Sequence, residues 1–278
     1  MQHPIYPCLW FDGNAKEAAD FYCSVFQPSA IQLETDMVVV FELFGKKIMG
    51  LNGGPMFKIN PSVSLTAEFE TEEETHAAWN QLIVDGSAMI ALGKHPWSDC
   101  YGWLKDKYGM TWQITVAKPN APKRLTPSLL FTDKLFGRAE EAIQLYTSVF
   151  EHSSTDVLVY YPEGDANAGK VMYAEFTLNG NNFIIMDGPG QHNYTFNWAV
   201  SLVVDCDTQA AIDAYWNRLT ADGGEESQCG WLADKFGVSW QIVPASLAKL
   251  MSDPERFQRV MKEVMQMKKL DIARMENA

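Results

Sequence analysis

The stretch "YGWLKDKYGMTWQI" (Tyr101 to Ile114) returns further along the chain as "CGWLADKFGVSWQI" (Cys229 to Ile242). Within the shared core Gly-Trp-Leu-x-Asp-Lys-x-Gly-x-x-Trp-Gln-Ile, nine of thirteen positions are identical. A segment carried twice is the mark of a repeat architecture, and the sequence on either side of it repeats as well. "AKEAADFYCSVF" (Ala15 to Phe26) matches "AEEAIQLYTSVF" (Ala139 to Phe150), and "SVSLTAEFETEEETHAAWNQLIVDG" matches "AVSLVVDCDTQAAIDAYWNRLTADGG". The chain is a tandem duplication. Its joint falls near "AKPNAPKRLTP" (Ala117 to Pro127), whose three prolines and polar residues read as a linker. The expected division is a first module over 1-120, a second over 121-246 and a helical tail over 247-278.

Each module opens with a short apolar strand, "YPCLWF" or "TPSLLF". A helix follows, because Ala18, Phe21, Tyr22, Val25 and Phe26 recur at three- and four-residue intervals, as do Ala142, Leu145, Tyr146, Val149 and Phe150. Two β-rich runs come next, turning at Gly45 or Gly180, then a second amphipathic helix carrying Trp79 or Trp216. "MTWQITV" or "VSWQIVP" closes the module as a strand. The reading is α+β: two tandem βαβββ modules, each with four strands in a curved mixed sheet and a further helix inserted. A twisted sheet with helices on one side leaves a concave face, a cup. A lone cup would expose apolar surface and open edges, so two are expected to meet edge to edge or face to face. In the tail, Asp253 and Pro254 start a helix whose stripe of Phe257, Val260, Met261, Val264 and Met265 calls for burial against the body or a partner.

The composition is that of a folded chain, 47% hydrophobic and 21% charged, long enough at 278 residues for two domains. The net charge of -13 repels phosphate backbones and anionic bilayers, so neither nucleic acid nor a membrane is an expected partner. Its start, "MQHPIYPCLWF", has no signal-peptide pattern, and five cysteines at scattered spacings suggest free thiols in a reducing cytoplasm.

Both halves resemble the PhnB-like modules, also labelled 3-demethylubiquinone-9 3-methyltransferase domains, of the vicinal oxygen chelate superfamily. That superfamily includes glyoxalase I, extradiol dioxygenases and bleomycin resistance proteins. The resemblance rests on "LWFDGNAKEAADFYCSVF", "LNGGPMFKINPSVSL" and "CGWLADKFGVSWQIVP", and covers most of residues 3 to 245. A literal methyl transfer is not expected, because Gly53-Gly54, Gly188 and Gly190 are followed by no helix start that could cradle a cofactor.

Superfamily enzymes hold a divalent metal with His and Glu from the first and last strands of paired modules. Carried onto this sequence, that pattern falls on Gln113 and Gln241, and near Tyr6 and Thr126. None is an anion or an imidazole, so no metal or other cofactor is expected. His3 lies near the first strand, whereas His76, His95, His152 and His192 share no ligand spacing. Strand alternation turns Gln113 and Gln241 away from their Trp and Ile neighbours and into the cups, where each amide is satisfied by the protein or by a ligand. Tyr6, Cys8 and Trp10 share a parity on the first strand. With Thr126 and Leu130 on its counterpart they complete the cup-facing candidates. Trp97 and Trp198 sit in segments that could form a rim, with core packing as the plainer reading. Asp106-Lys107 and Asp234-Lys235 read as solvated turns before the last strand. The function expected is a small-molecule binding protein taking a hydrophobic or aromatic metabolite in a mostly apolar cup between paired modules, with a homodimer open to it. The alternatives are a metal-dependent lyase, isomerase or dioxygenase, and an assembly protein with degenerate cups.

Overall fold

The computed structural model describes residues 4–250 and 254–278. The chain lays down four successive βαβββ units, so each repeat carries two units and eight strands rather than the four read from its periodicity. The first unit is β1 (Ile5–Phe11), α1 (Ala15–Val25), β2 (Ser29–Glu34), β3 (Val38–Leu43) and β4 (Lys46–Asn52). The second is β5 (Val63–Phe69), α2 (Glu72–Leu82), β6 (Ser87–His95), β7 (Ser98–Lys105) and β8 (Thr111–Val116). The third is β9 (Arg124–Phe131), α3 (Ala139–Val149), β10 (Ser154–Tyr160), β11 (Val171–Leu178) and β12 (Asn181–Asp187). The fourth is β13 (Val200–Cys206), α4 (Gln209–Leu219), β14 (Glu225–Glu226), β15 (Trp231–Ala233) and β16 (Ser239–Pro244). The tail adds α5 (Leu247–Leu250), α6 (Pro254–Val264) and α7 (Ile272–Glu276); Asp253 lies outside the described residues. The linker is shorter than its prolines suggested, since Arg124 to Pro127 already belong to β9.

Neither repeat closes its own sheet. Sheet one runs β14-β15-β16-β13-β1-β4-β3-β2 and joins the first unit to the fourth. Sheet two runs β10-β11-β12-β9-β5-β8-β7-β6 and joins the second to the third. The seams are antiparallel and edge to edge, β1 on β13 with Tyr6 opposite Val203, and β5 on β9 with Thr66 opposite Thr126. Within each unit the first and last strands run parallel. Both sheets are therefore completed inside one chain.

The helices lie between the sheets. Tyr22 on α1 meets Phe41 of sheet one at 6.2 Å and Trp112 of sheet two at 5.0 Å between ring centroids. Tyr146 on α3 bridges Phe176 of sheet two and Trp240 of sheet one in the same way. One continuous apolar core results, and the two concave faces point outward from it. Helix starts are fixed by sequence: Thr71 and Thr208 cap α2 and α4. Asn52 and Asp187, at the ends of β4 and β12, accept from the Ala15 and Ala139 amides that open α1 and α3.

The repeated motif is a structural clasp. Asp106 and Asp234 are buried, correcting the solvated turn expected of them. Asp234 Oδ2 accepts from the Tyr146 hydroxyl at 2.8 Å and the Trp240 indole at 3.0 Å, while Oδ1 accepts from the Phe236 and Val238 amides. Asp106 repeats this with Tyr22, Trp112, Tyr108 and Met110. Each clasp pins a helix of one unit to the turn before the last strand of another. Only the lysines after the aspartates reach outward, Lys235 to Glu141 at 2.7 Å. The motif glycine completes the turn: Gly237 sits at φ +84 with no neighbour nearer than 3.9 Å to an added Cβ. Gly237→Ala is therefore a pure backbone test, expected to cost about 1–2 kcal/mol in urea unfolding. A neutral result would show that the turn relaxes.

Candidate functional site

In sheet one, alternation brings Tyr6, Cys8 and Trp10 of β1, Val203 of β13 and Gln241 and Val243 of β16 to the outward face. Tyr6, Cys8, Val203 and Val243 then join Leu250, Val260, Val264, Met267, Leu270 and Met275 in one buried apolar cluster. The tail lies in this cup, taking the burial its stripe called for, although Met267 and Leu270 go in while Met265 stays exposed. It is tied down at the rim: the Cys229 and Gly230 amides donate to Met267 and Lys268 carbonyls, and Lys269 pairs with Asp213 at 2.7 Å. Tyr6 donates to Asp205 at 3.1 Å, with Lys47 3.8 Å above its ring. Gln241 donates to Ser201 at 2.8 Å. Burial pushes the Cys8 thiol up to about 12, which leaves it a packed, unreactive group. Trp10 stands at the edge, its indole donating to the Gly54 carbonyl and its ring edge-on to Phe57 and Trp231.

Sheet two carries the counterpart cup. Thr126 of β9, Thr66 of β5, Gln113 of β8 and Trp103 of β7 are successive partners across the strands and form one row over its floor. At about 4.8 Å per strand the row spans roughly 14 Å. Gln113 donates to Ser64 at 2.8 Å and accepts from Tyr101 at 2.9 Å, and Thr66 shares a hydrogen with Ser128 at 2.7 Å. The two ends of the row are different. Thr126 Oγ1 and Trp103 Nε1 are buried without a hydrogen-bond partner among the described residues. A buried polar atom left unpaired costs about 1–3 kcal/mol, so two in one row point to something that completes them. Tyr101 and Trp103 form an aromatic side to this floor, and Leu130 with Ile184 an aliphatic one. Beside it, Arg124 bonds Glu68 and Glu175, and Glu175 accepts from Tyr173. Trp97, two-thirds exposed, tips the β6–β7 hairpin against His95 and Tyr101 rather than packing in the core. Trp198 lies near Trp231 of sheet one, at 6.4 Å.

The donor set does not fit the superfamily's divalent ion. The positions carried over, Gln113, Gln241, Tyr6 and Thr126, offer two amides, a phenol and a hydroxyl, and the carboxylates that the first strands do bring to the cups are already engaged, Glu68 by Arg124 and Asp205 by Tyr6 and Lys47. Among the described residues no three His, Cys, Asp or Glu side chains stand close enough to share a metal. His3 lies outside the described residues. A separate hollow of about 600 Å³ lies between the end of α3 and the start of α4, lined by Glu151, His152, Asp207, Tyr215 and Arg218 among others. Arg218 is tied there to the Ser148 and Val149 carbonyls.

Of the residues singled out from sequence, Gln113, Thr126 and Leu130 come together in sheet two, while Tyr6, Cys8, Trp10 and Gln241 belong to sheet one. Sequence reading missed Ser64, Thr66, Ser128, Tyr101 and Trp103 as cup residues. For Ser128 the signal was available, since it shares strand parity with Thr126 and Leu130; the other four lie on strands with no residue placed in advance, and only the strand pairing shows their face.

The sequence profile of the family described as 3-demethylubiquinone-9 3-methyltransferase matches residues 3–115 and again 123–243. A PhnB protein from Bacillus cereus is 34% identical over 40% of this chain and 98% of its own, with a TM-score of 0.38. Glyoxalase I from Zea mays is 10% identical, covering 90% of this chain and 96% of its own at a TM-score of 0.58, a likeness of fold. A glyoxalase-related enzyme from Fulvimarina pelagi is 14% identical over 43% of this chain and 94% of its own, at 0.34. No curated protein matches. No helix among the described residues is long and apolar enough to cross a membrane. Two profile matches covering most of the chain show that it belongs to the PhnB-like family described as 3-demethylubiquinone-9 3-methyltransferase.

Proposed function

We propose that this chain is a small-molecule binding protein with one open cup, that of sheet two. The supporting observation is the pair of unpaired buried atoms, Thr126 Oγ1 and Trp103 Nε1, at opposite ends of a row whose middle members are already satisfied. The ligand lies across this row. One face of it rests against Tyr101 and Trp103, and it supplies at least one acceptor, because an indole N–H can only donate. Gln113, fixed by Ser64 and Tyr101, orients that ligand without titrating. The cup of sheet one is structural, its space taken by the tail.

Native mass spectrometry of the protein as purified, reporting metal, small molecule and subunit number together, tests this reading. A retained organic molecule, weakened at least tenfold by Gln113→Leu and unchanged by Gln241→Leu, is the expected result. One divalent ion per chain, lost together with an activity, would replace the reading with a metal-dependent lyase, isomerase or dioxygenase. Equal loss from the two glutamine variants would show that the cups are not distinct.

A further inference from the structure

The two cups are homologous, so the one that the tail fills is an internal control for the other. Position by position, β9 matches β1, β5 matches β13 and β8 matches β16. The buried strand positions at which sheet one meets the tail are Tyr6, Cys8, Val203 and Val243, with the partly buried Met49 and Leu51 of β4 packed beside them. The counterparts of the four buried positions in sheet two are Thr126, Ser128, Thr66 and Thr115. At every one of these positions a group that packs against apolar side chains is exchanged for an aliphatic hydroxyl. The flanking positions are not exchanged this way, for Met49 and Leu51 answer to Ile184 and Met186. The centre of the floor is thus selectively hydroxylated while its wall remains apolar.

We infer that the open cup takes a neutral, oxygen-rich small molecule with a flat face; this rests on the reading of sheet two as the binding site. Hydroxyls donate and accept, so a floor built from Ser64, Thr66, Ser128 and Thr126 matches a ligand whose own oxygens do both. An apolar occupant like the tail would leave the Thr126 hydroxyl and the Trp103 N–H buried and unpaired. A charged occupant fares no better. The charges beside the row, Arg124 with Glu68 and Glu175, already bond one another, so an ion would lie on uncharged groups without a counter-charge. The flat face follows from Tyr101 and Trp103, whose rings favour stacking or edge-on contact with a planar group.

Titration calorimetry on the full chain with phenyl β-D-glucoside, benzoate and ethylbenzene separates the possibilities, since the three share a ring and differ in oxygen content and charge. The glucoside is expected to bind most tightly. Thr126→Val should weaken it about tenfold and Thr126→Ser should restore it. Because Thr126 Oγ1 has no partner among the described residues, Thr126→Val should melt no lower than the parent protein, which excludes misfolding as the cause. Ethylbenzene binding tighter than the glucoside, and gaining from Thr126→Val, would overturn the oxygen-rich assignment while keeping the cup as the site. Tighter benzoate binding would overturn the neutrality. Binding that Thr126→Val and Gln113→Leu both leave untouched, or none at all from any of the three, would overturn the cup as well.

Discussion

Replacing Asp234 by alanine is expected to leave a protein that unfolds at least 10 °C below its parent or does not accumulate folded at all. The carboxylate satisfies four donors in the core, the Tyr146 hydroxyl, the Trp240 indole and the Phe236 and Val238 amides. Alanine leaves them without a partner at roughly 1–3 kcal/mol each, a sum comparable to the total stability of about 5–15 kcal/mol of a folded protein. Asparagine keeps the size but turns an N–H₂ toward donors, so it should be intermediate. Burial pushes the Asp234 carboxyl up to about 6, and the four donors hold it back from going further. Its folded pKa is thus above the value near 3.9 of an unfolded chain, and between the two the folded protein holds a proton that the unfolded one has lost. The group's contribution is greatest below pH about 4 and is lost as pH rises through about 6, by roughly 3 kcal/mol in all. Urea midpoints of the parent relative to Asp234→Asn should fall across that window. A constant difference would mean that the carboxyl is not held in a desolvated place.

Disturbing the seated tail is expected to have the next largest effect. Leu270 and Val260 are fully buried in the cup of sheet one, and Leu270 fits beside Gly230, where an added Cβ would lie 3.1 Å from its side chain. Leu270→Ala removes buried methyl groups and leaves a cavity, at about 2–5 kcal/mol. Val260→Asp places a charge against Tyr6, Cys8 and Val203 with no counter-charge in the cluster, so it should unseat the tail outright. Thermal melts together with the binding of a hydrophobic dye check both. An Asp variant that melts like its parent and binds no dye would show that the tail contributes little to the fold.

Much of the fold was legible because it repeats. The alternation that set Trp112 and Trp240 inward set Gln113 and Gln241 outward, and the tail's stripe required burial. Two things were not legible. Edge strands β2 and β10 are exposed along nearly their whole length, β10 with Val157, Leu158, Val159 and Tyr160 all partly in solvent, so no period of two marks them. The crossing of units between sheets was hidden too, because pairing within a repeat or between repeats buries the same apolar faces. Asp106 and Asp234 were misjudged because aspartate in a turn is ordinarily hydrated, and nothing local announces a tyrosine arriving from a distant helix. The hydroxyl positions of sheet two could be read from the aligned repeats, but the contrast they make required knowing that the tail occupies the cup of sheet one.

The nesting of one sheet within the other orders events on the ribosome. Sheet two is drawn from an unbroken stretch, Val63 to Asp187, whereas sheet one needs both ends of the chain, with Tyr6 and Asp205 lying 199 residues apart. At about 5–20 residues per second, β1 waits ten seconds or more for its partner strand to be synthesised. The inner sheet can assemble during that delay, and the outer one must keep its unpaired edge from neighbouring nascent chains. The segment that seals the outer cup follows β16 in the chain, so that cup is closed only after every strand of its sheet has been made.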